Sequence, residues 1–213
     1  RQMCIRDSCV DVAQQLCRET RKRVWMLNMA SSGTPGGGVW KGCNAQEEHL
    51  CRCSNLYPHL YDAQDWAYPL HWYRTNIPNI RILINIKVNF FKNPKSYNAL
   101  PSRDWFVLVY WRLRRRMLSK KEPTCTTLCR FLTGRRKMQG CQYLVLSIWG
   151  YGAFGQSAQS VAKSFQQRQR RLTTPNQHVI FAIKDDHNSE RNFEVFRNTL
   201  DNNRLWASWK GEV

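Results

Sequence analysis

The sequence predicts an α/β domain with a mixed, mainly parallel sheet, and three observations favour this fold class. Short apolar runs rich in Val, Ile and Phe alternate with segments of helical periodicity. The chain has 213 residues and 42% apolar content, which suffices for one sizeable core. No internal repeat or low-complexity linker interrupts the alternation. Alternating strands and helices are typical of layered α/β folds, so we expect one domain over residues 8–213.

The first half of the chain supplies two helices and a strand. Residues 1–7 have no periodicity, and we expect them to be non-native or disordered, with an N-terminal segment of the domain missing. Residues 8–20 predict a helix, because a serine and an aspartate three residues apart fit a capping box ahead of an apolar stripe. Residues 24–29 predict a buried strand, and residues 46–61 have the spacing of one helix.

The second half alternates strands and helices. We predict one or two strands over residues 80–91 and single strands over residues 105–110, 143–149 and 179–183. We predict helices over residues 112–121, 157–171 and 190–200. The helix predicted over residues 112–121 is strongly basic.

The chain is strongly cationic. It carries 33 Lys and Arg against 15 Asp and Glu, a formal net charge of +18. Such a charge attracts polyanions such as nucleic acid or a phosphate-rich polymer. The cations cluster in residues 112–121, 135–137 and 168–171. We favour solvated helix faces for these clusters, and a binding track for nucleic acid or another polyanion is the alternative.

The nine cysteines form no disulfide framework. Their odd number in a chain of this size is typical of reduced thiols, so we expect a cytoplasmic protein. A zinc site is not indicated, because Cys51 and Cys53 would lie on different faces of one helix. No run of about 18 apolar residues occurs, so we expect no membrane span.

Three consecutive glycines followed by a pair of glutamates form the strongest candidate site. Glycine allows positive φ and a close approach of the backbone to a ligand. Adjacent carboxylates suit glycosidic-bond chemistry, which needs an acid and a group that holds the sugar. The alternative is a flexible turn before an exposed helix start. With a strand before and a helix after, we favour an active site made of Gly36, Gly37, Gly38, Gln46, Glu47 and Glu48.

A second glycine-rich motif, Gly150-x-Gly152-x-x-Gly155, lies between a predicted strand and a predicted helix. Backbone N–H groups and a helix N-terminus at such a place can bind a diphosphate. The spacing also matches a dinucleotide-binding fingerprint, but that site normally uses the first strand, with an acidic residue about 20 positions on. Since the motif comes late in the chain, we favour a diphosphate loop over a Rossmann site or a structural turn.

Together these motifs resemble the microbial-type poly(ADP-ribose) glycohydrolase family, whose members have a macrodomain fold. The matching segments are Asn-Met-Ala-Ser at 28–31, Pro-Gly-Gly-Gly at 35–38, Ala-Gln-Glu-Glu at 45–48, a strand at 144–148, the loop at 149–155, a strand at 179–183 and, more weakly, residues 88–100. The similarity is poor over residues 112–140. The resemblance implies a macrodomain-like, three-layer α/β/α architecture.

The resemblance also implies cleavage of the ribose–ribose O-glycosidic bond in poly(ADP-ribose), with release of ADP-ribose. The catalytic acid of the family falls on Glu48, and Glu47 would orient the sugar. The other implied substrate contacts are Asn28, Ser31, Gly36, Gly37, Gly38, Gln46, Gly150, Gly152, Ala153, Phe154 and Gly155. No metal or cofactor is implied. The implied partners are ADP-ribose, its polymer and ADP-ribosylated protein, and we expect a monomer.

Three other functions stay open at this point. They are a catalytically impaired ADP-ribose-binding module, a nucleic-acid-binding protein and a nicotinamide-dinucleotide enzyme. The five histidines show no catalytic partner in the sequence.

Overall fold

The computed structural model describes residues 2–5, 7–22, 24–29, 31, 34–62, 80–102, 106–115, 142–148, 157–172, 178–185 and 191–201. The strands are β1 (Gln2–Ile5), β2 (Val24–Asn28), β3 (Ile80–Phe90), β4 (Phe106–Arg115), β5 (Tyr143–Leu146) and β6 (His178–Ala182). The α-helices are α1 (Cys9–Thr20), α2 (Gln46–Cys53), α3 (Leu56–Asp62), α4 (Ala158–Leu172) and α5 (Asn192–Asp201), and Val39–Lys41 form a 3-10 helix.

The chain divides into two compact units. The first comprises residues 1–12 and 118–213, and the second comprises residues 13–117. The expectation of one domain over residues 8–213 stays a prediction.

The first unit contains three parallel strands in the order β1-β6-β5. Its core includes three phenylalanines: the ring of Phe181 on β6 lies 4.8 Å from that of Phe165 on α4 and 5.9 Å from that of Phe196 on α5. All three are at most 1% exposed. Burying a side chain of this size contributes roughly 1.5–3 kcal/mol, so this cluster stabilises both helices on the strands.

The helix predicted from residue 157 is confirmed as α4, with its apolar stripe buried. The stripe consists of Ala158, Val161, Ala162 and Phe165. Ser157 caps it, since its Oγ accepts a hydrogen bond from the Ser160 N–H at 3.2 Å. An open groove of about 780 Å³ runs along α4 and α5, and its lining includes Lys163 and Arg191.

Residues 1–7 carry more structure than the sequence suggested. We expected no regular structure there, whereas Gln2–Ile5 form β1, in register with residues 179–182 of β6. The predicted capping box of α1 is formed in part: Ser8 Oγ accepts the Asp11 N–H at 3.2 Å and donates to Asp11 Oδ2 at 2.6 Å, whereas the Ser8 N–H donates to Asp7 Oδ1 at 2.8 Å.

The second unit has the strand order β2-β4-β3. β2 runs parallel to β4, and β3 runs antiparallel to β4 with a register shift between Ile84 and Ile86. All five residues of β2 are buried. β2 is therefore a buried strand, as its continuous apolar run predicted.

β4 corrects the prediction for the basic segment. We predicted a helix over residues 112–121, but the strand continues to Arg115, and Arg112 is in register with Leu83 of β3. The missed signal is the alternation of Trp111 and Leu113 with arginines, which has the period of a strand. Residues 116–121 lie outside the described residues.

The single helix predicted over residues 46–61 is wrong, because the chain breaks it into α2 and α3. Ser54 has an extended backbone and forms a β-bridge with Phe90. Its Oγ accepts the Leu56 N–H at 3.2 Å and so caps α3. Pro58 explains the break, since within one continuous helix its ring would clash with the carbonyl of Ser54.

No helix within the described part of the chain has the length and apolar character to cross a membrane.

Candidate active site

The site is built where β2 ends and α2 begins, both in the second unit. The apolar run of β2 ends at Asn28, which is fully buried. α2 begins at Gln46. The residue before it, Ala45, has an extended backbone, and its side chain makes no capping hydrogen bond. Glu47 and Glu48 lie in the first turn, where free N–H groups and the helix dipole favour negative charge.

Gln46 fixes the start of α2 to the end of β2. Its Nε2 donates to the Leu27 carbonyl at 3.0 Å, and its Oε1 accepts the Met29 N–H at 2.7 Å. The side-chain amide thus offers one donor and one acceptor to the strand, as the backbone of a neighbouring strand would. These two bonds set the position from which both glutamates project.

Glu47 faces the end of β2 and is only 2% exposed. Its Oε1 accepts the Asn28 Nδ2–H at 3.4 Å, and its Oε2 accepts the Ser31 N–H at 2.5 Å. Both carboxylate oxygens are therefore bonded to the protein. A buried carboxylate with such partners has a fixed orientation.

Glu48 faces the glycine turn, by which we mean residues 34–42, and is 8% exposed. Its Oε1 accepts the Gly38 N–H at 2.8 Å. No other hydrogen bond to this carboxylate comes from the residues that the structure describes, so Oε2 is available to a ligand.

The glycine turn requires glycine for two reasons, and the first of them, positive φ, is the one we expected. Gly36 and Gly37 have φ of 67° and 60°, which side chains rarely adopt. A Cβ on Gly37 would overlap Glu48 Oε1 and lie 3.0 Å from its Cδ. A Cβ on Gly36 would lie 2.7 Å from Tyr57 Cδ2. The crowding described by the structure comes from the protein's own carboxylate and tyrosine.

The remaining bonds of the turn keep it compact. The Gly37 N–H donates to the Thr34 carbonyl at 3.1 Å, and the Val39 N–H donates to the Gly36 carbonyl at 3.2 Å. The Thr34 N–H donates to Ser31 Oγ at 3.3 Å. Ser31 thus connects the turn with Glu47.

The structure brings most of the predicted site residues together and leaves the others undescribed. Asn28, Ser31, Gly36, Gly37, Gly38, Gln46, Glu47 and Glu48 form one hydrogen-bonded and packed group. Gly150, Gly152, Ala153, Phe154 and Gly155 lie outside the described residues, so the predicted diphosphate loop stays a prediction. Among the site residues that the structure describes, none lines the groove along α4 and α5.

Two contacts near the site escaped the sequence analysis. His49 Nδ1 and Tyr97 Oη are 2.7 Å apart, although we predicted no partner for His49. Tyr97 has φ of 59°, so its backbone is strained. The separation of 48 residues left no local signal for this pair. Tyr57 packing against Gly36 was also missed, and helical spacing alone could not reveal it.

Within the described ranges, no three His, Cys, Asp or Glu side chains are grouped so as to hold a metal ion.

Comparison with known proteins identifies relatives of this site. Residues 3–92 match the family model for the catalytic domain of microbial-type PARG, the poly(ADP-ribose) glycohydrolases. This segment contains all of the described site residues. No curated protein sequence matches the chain.

Solved structures extend the similarity over the chain. Poly(ADP-ribose) glycohydrolase from Deinococcus radiodurans, in complex with ADP-ribose, is 25% identical with a TM-score of 0.72, covering 95% of this chain and 85% of its own. The enzyme from Thermomonospora curvata, bound to the inhibitor ADP-HPD, is 23% identical with a TM-score of 0.67, covering 93% and 78%. The predicted macrodomain-like α/β fold class is confirmed.

Proposed function

We propose that this chain, which through its residues 3–92 belongs to the microbial-type poly(ADP-ribose) glycohydrolase family, hydrolyses ribose–ribose O-glycosidic bonds in poly(ADP-ribose) and releases ADP-ribose. The observation that carries the proposal is the pair of carboxylates in the first turn of α2. Glu47 is bonded at both oxygens, whereas Glu48 is bonded at one.

In this proposal Glu48 is the general acid and base. It protonates the ribose oxygen that leaves, while positive charge develops on the anomeric carbon of the sugar that stays. Glu48 then accepts a proton from water, whose oxygen forms the new bond to that carbon. The Gly38 N–H supports this role, because it orients the carboxylate without occupying Oε2.

Glu47 would orient the sugar. Its two oxygens accept hydrogen bonds from Asn28 and Ser31, which fix the orientation in which the carboxylate would meet a ribose hydroxyl. Asn28 and Ser31 would contribute by holding this carboxylate in place. Gln46 is bonded to the end of β2 through both Nε2 and Oε1 of its amide. We therefore propose that its main role is to position the glutamates and that contact with the substrate is a lesser role.

The ligand would be an ADP-ribose unit. The Deinococcus radiodurans enzyme was crystallised with ADP-ribose, which supports this assignment. We propose that the loop with Gly150, Gly152, Ala153 and Gly155 holds the diphosphate, and that Phe154 lies beside the distal ribose. The net charge of +18 favours such an anionic substrate, whether it is a polymer or a modified protein. By the same attraction, we propose nucleic acid as a further partner.

We further propose that residues 8–213 act as one catalytic domain, as a monomer and in the cytoplasm. The odd cysteine count supports the reducing compartment.

The test is Glu48→Gln, assayed for release of ADP-ribose from automodified, poly(ADP-ribosyl)ated protein. Glutamine can accept the Gly38 N–H but cannot transfer the proton, so we expect release to fall by about 10²–10⁴-fold. The affinity for ADP-ribose, measured by calorimetry, should be nearly unchanged. Glu19→Gln on α1, at an exposed position, is the matched control and should keep full activity.

Retained turnover in Glu48→Gln would remove this residue from the acid role. Binding of ADP-ribose without any turnover by the unmodified chain would instead identify an ADP-ribose-binding module.

A further inference from the structure

Three aromatic side chains form an exposed surface beside the glycine turn. Trp40, on the 3-10 helix, is 80% exposed and meets Tyr57 edge to face, with ring centroids 5.3 Å apart. Tyr57 stacks on Tyr61 at 6.1 Å, and Tyr61 is 51% exposed. We call Trp40, Tyr57 and Tyr61 the aromatic ledge. An indole left this open to water is informative, because burial of such a ring is strongly favourable.

The aromatic ledge is continuous with the proposed active site. Tyr57 packs so closely on Gly36 that a Cβ there would lie 2.7 Å from its ring. A Cβ on the next residue, Gly37, would likewise overlap the carboxylate of Glu48. The Lys41 N–H also donates to the Gly38 carbonyl at 2.9 Å, so the turn that binds Glu48 holds the backbone around Trp40.

Two cationic residues, Lys41 and Arg52, belong to the region of the ledge. Lys41 follows Trp40 directly and is exposed, and Arg52 is half-buried and donates to Asn44 Oδ1 and the Cys43 carbonyl. The two glutamates of this region are buried on the side of β2 and the glycine turn. An aromatic face beside a cation matches a nucleotide, which offers a base for stacking and a phosphate for the charge.

We propose that the aromatic ledge binds the ADP-ribose unit adjoining the one released, with its adenine stacked on Trp40 and its diphosphate near Lys41. The inference rests on the proposed function, since only a polymer presents a second unit so close to the bond that is cleaved. The ledge would then favour polymer over a single ADP-ribosyl group.

The experiment compares two ligands on the Glu48→Gln variant, which does not consume them. One is ADP-ribose, and the other is a purified poly(ADP-ribose) oligomer of defined length. Stacking contributes about 1–3 kcal/mol per base, so Trp40→Ala should weaken oligomer binding by roughly 5- to 150-fold. The dissociation constant for ADP-ribose should stay within about twofold, because a single unit would occupy the proposed active site and not the ledge.

Two further variants separate stacking from charge. Trp40→Phe keeps an aromatic face and should restore most of the oligomer affinity. Lys41→Ala should weaken oligomer binding and reduce its salt dependence, whereas Lys95→Ala, at an exposed lysine of another loop, should change neither.

An equal loss for both ligands, or no loss for the oligomer, in Trp40→Ala would overturn the proposal. A second result would also overturn it: Trp40→Ala changes the number of protein copies in the sedimenting species but leaves the affinity for the poly(ADP-ribose) oligomer intact. The ledge would then contact a second copy of the chain. Failure of the proposed function is a separate result: the unmodified chain would release no ADP-ribose, and the affinity ratio would still report on the ledge.

Discussion

The end of β2 and the glycine turn hold two adjacent carboxylates in different ways. The strand end binds both oxygens of Glu47, through Asn28 and Ser31. The glycine turn binds one oxygen of Glu48, through Gly38. The two carboxylates, although neighbours in one helical turn, are thus held by different numbers of bonds. We infer that the carboxylate with fewer bonds to the protein, Glu48, is the better candidate for the catalytic group.

After the loss of Glu48 itself, the largest effect should come from placing a side chain in the glycine turn. Gly37→Ala puts a methyl group onto Glu48 Oε1, so the carboxylate must move. Because misplacement by about 1 Å can cost on the order of 100-fold in rate, we expect a loss of that size in steady-state ADP-ribose release.

Gly42→Ala is the matched control for this change. Gly42 also has positive φ, at 77°, but a Cβ there meets nothing within 4 Å. The Gly42→Ala substitution should lower the free energy of unfolding by about 1–2 kcal/mol through backbone strain and leave turnover intact. Equal activity losses in the two variants would show that strain in the turn, and not displacement of Glu48, determines the effect.

A smaller effect on rate, with a larger effect on stability, should follow from Glu47→Gln. The new amide presents an N–H where Glu47 now accepts from Asn28 or Ser31, so one buried bond is lost. We expect a loss of about 1–3 kcal/mol in the free energy of unfolding, measured by urea denaturation. Glu48→Gln keeps its acceptor and should lose much less stability. The reverse order of stabilities would contradict our comparison of the two regions.

The smallest effect should come from Gln46→Ala, which removes the two bonds between α2 and β2. We expect a loss of about 1–2 kcal/mol in unfolding free energy and a moderate fall in turnover. Gln15→Ala on α1 removes only an exposed bond to Glu19 and should change neither quantity. An unchanged unfolding curve for Gln46→Ala would mean that other contacts position the helix.

The sequence predicted well those elements whose signal is local. The stripe of α4 and the capping box of α1 each depend on residues within a few positions of one another. The same holds for the buried run of β2, and for the glycines and glutamates of the site.

The sequence could not predict features that depend on distant partners. The break at Ser54 reflects its bridge to Phe90, and the bond between His49 and Tyr97 joins residues 48 apart. Spacing also indicated that Gly37 leaves room for other atoms, but it could not reveal that Glu48 Oε1 is one of them.

The break between α2 and α3 has a consequence for the mobility of the site. Beyond the bridge from Ser54, the Phe91 and Lys92 N–H groups both donate to the Cys53 carbonyl at 3.2 Å, while Gln46 fastens the other end of the helix to β2. α2 is therefore bonded to a strand at each of its ends. Between α2 and the glycine turn, we expect the turn to be the more mobile, and its amide protons should exchange with solvent faster than those of α2.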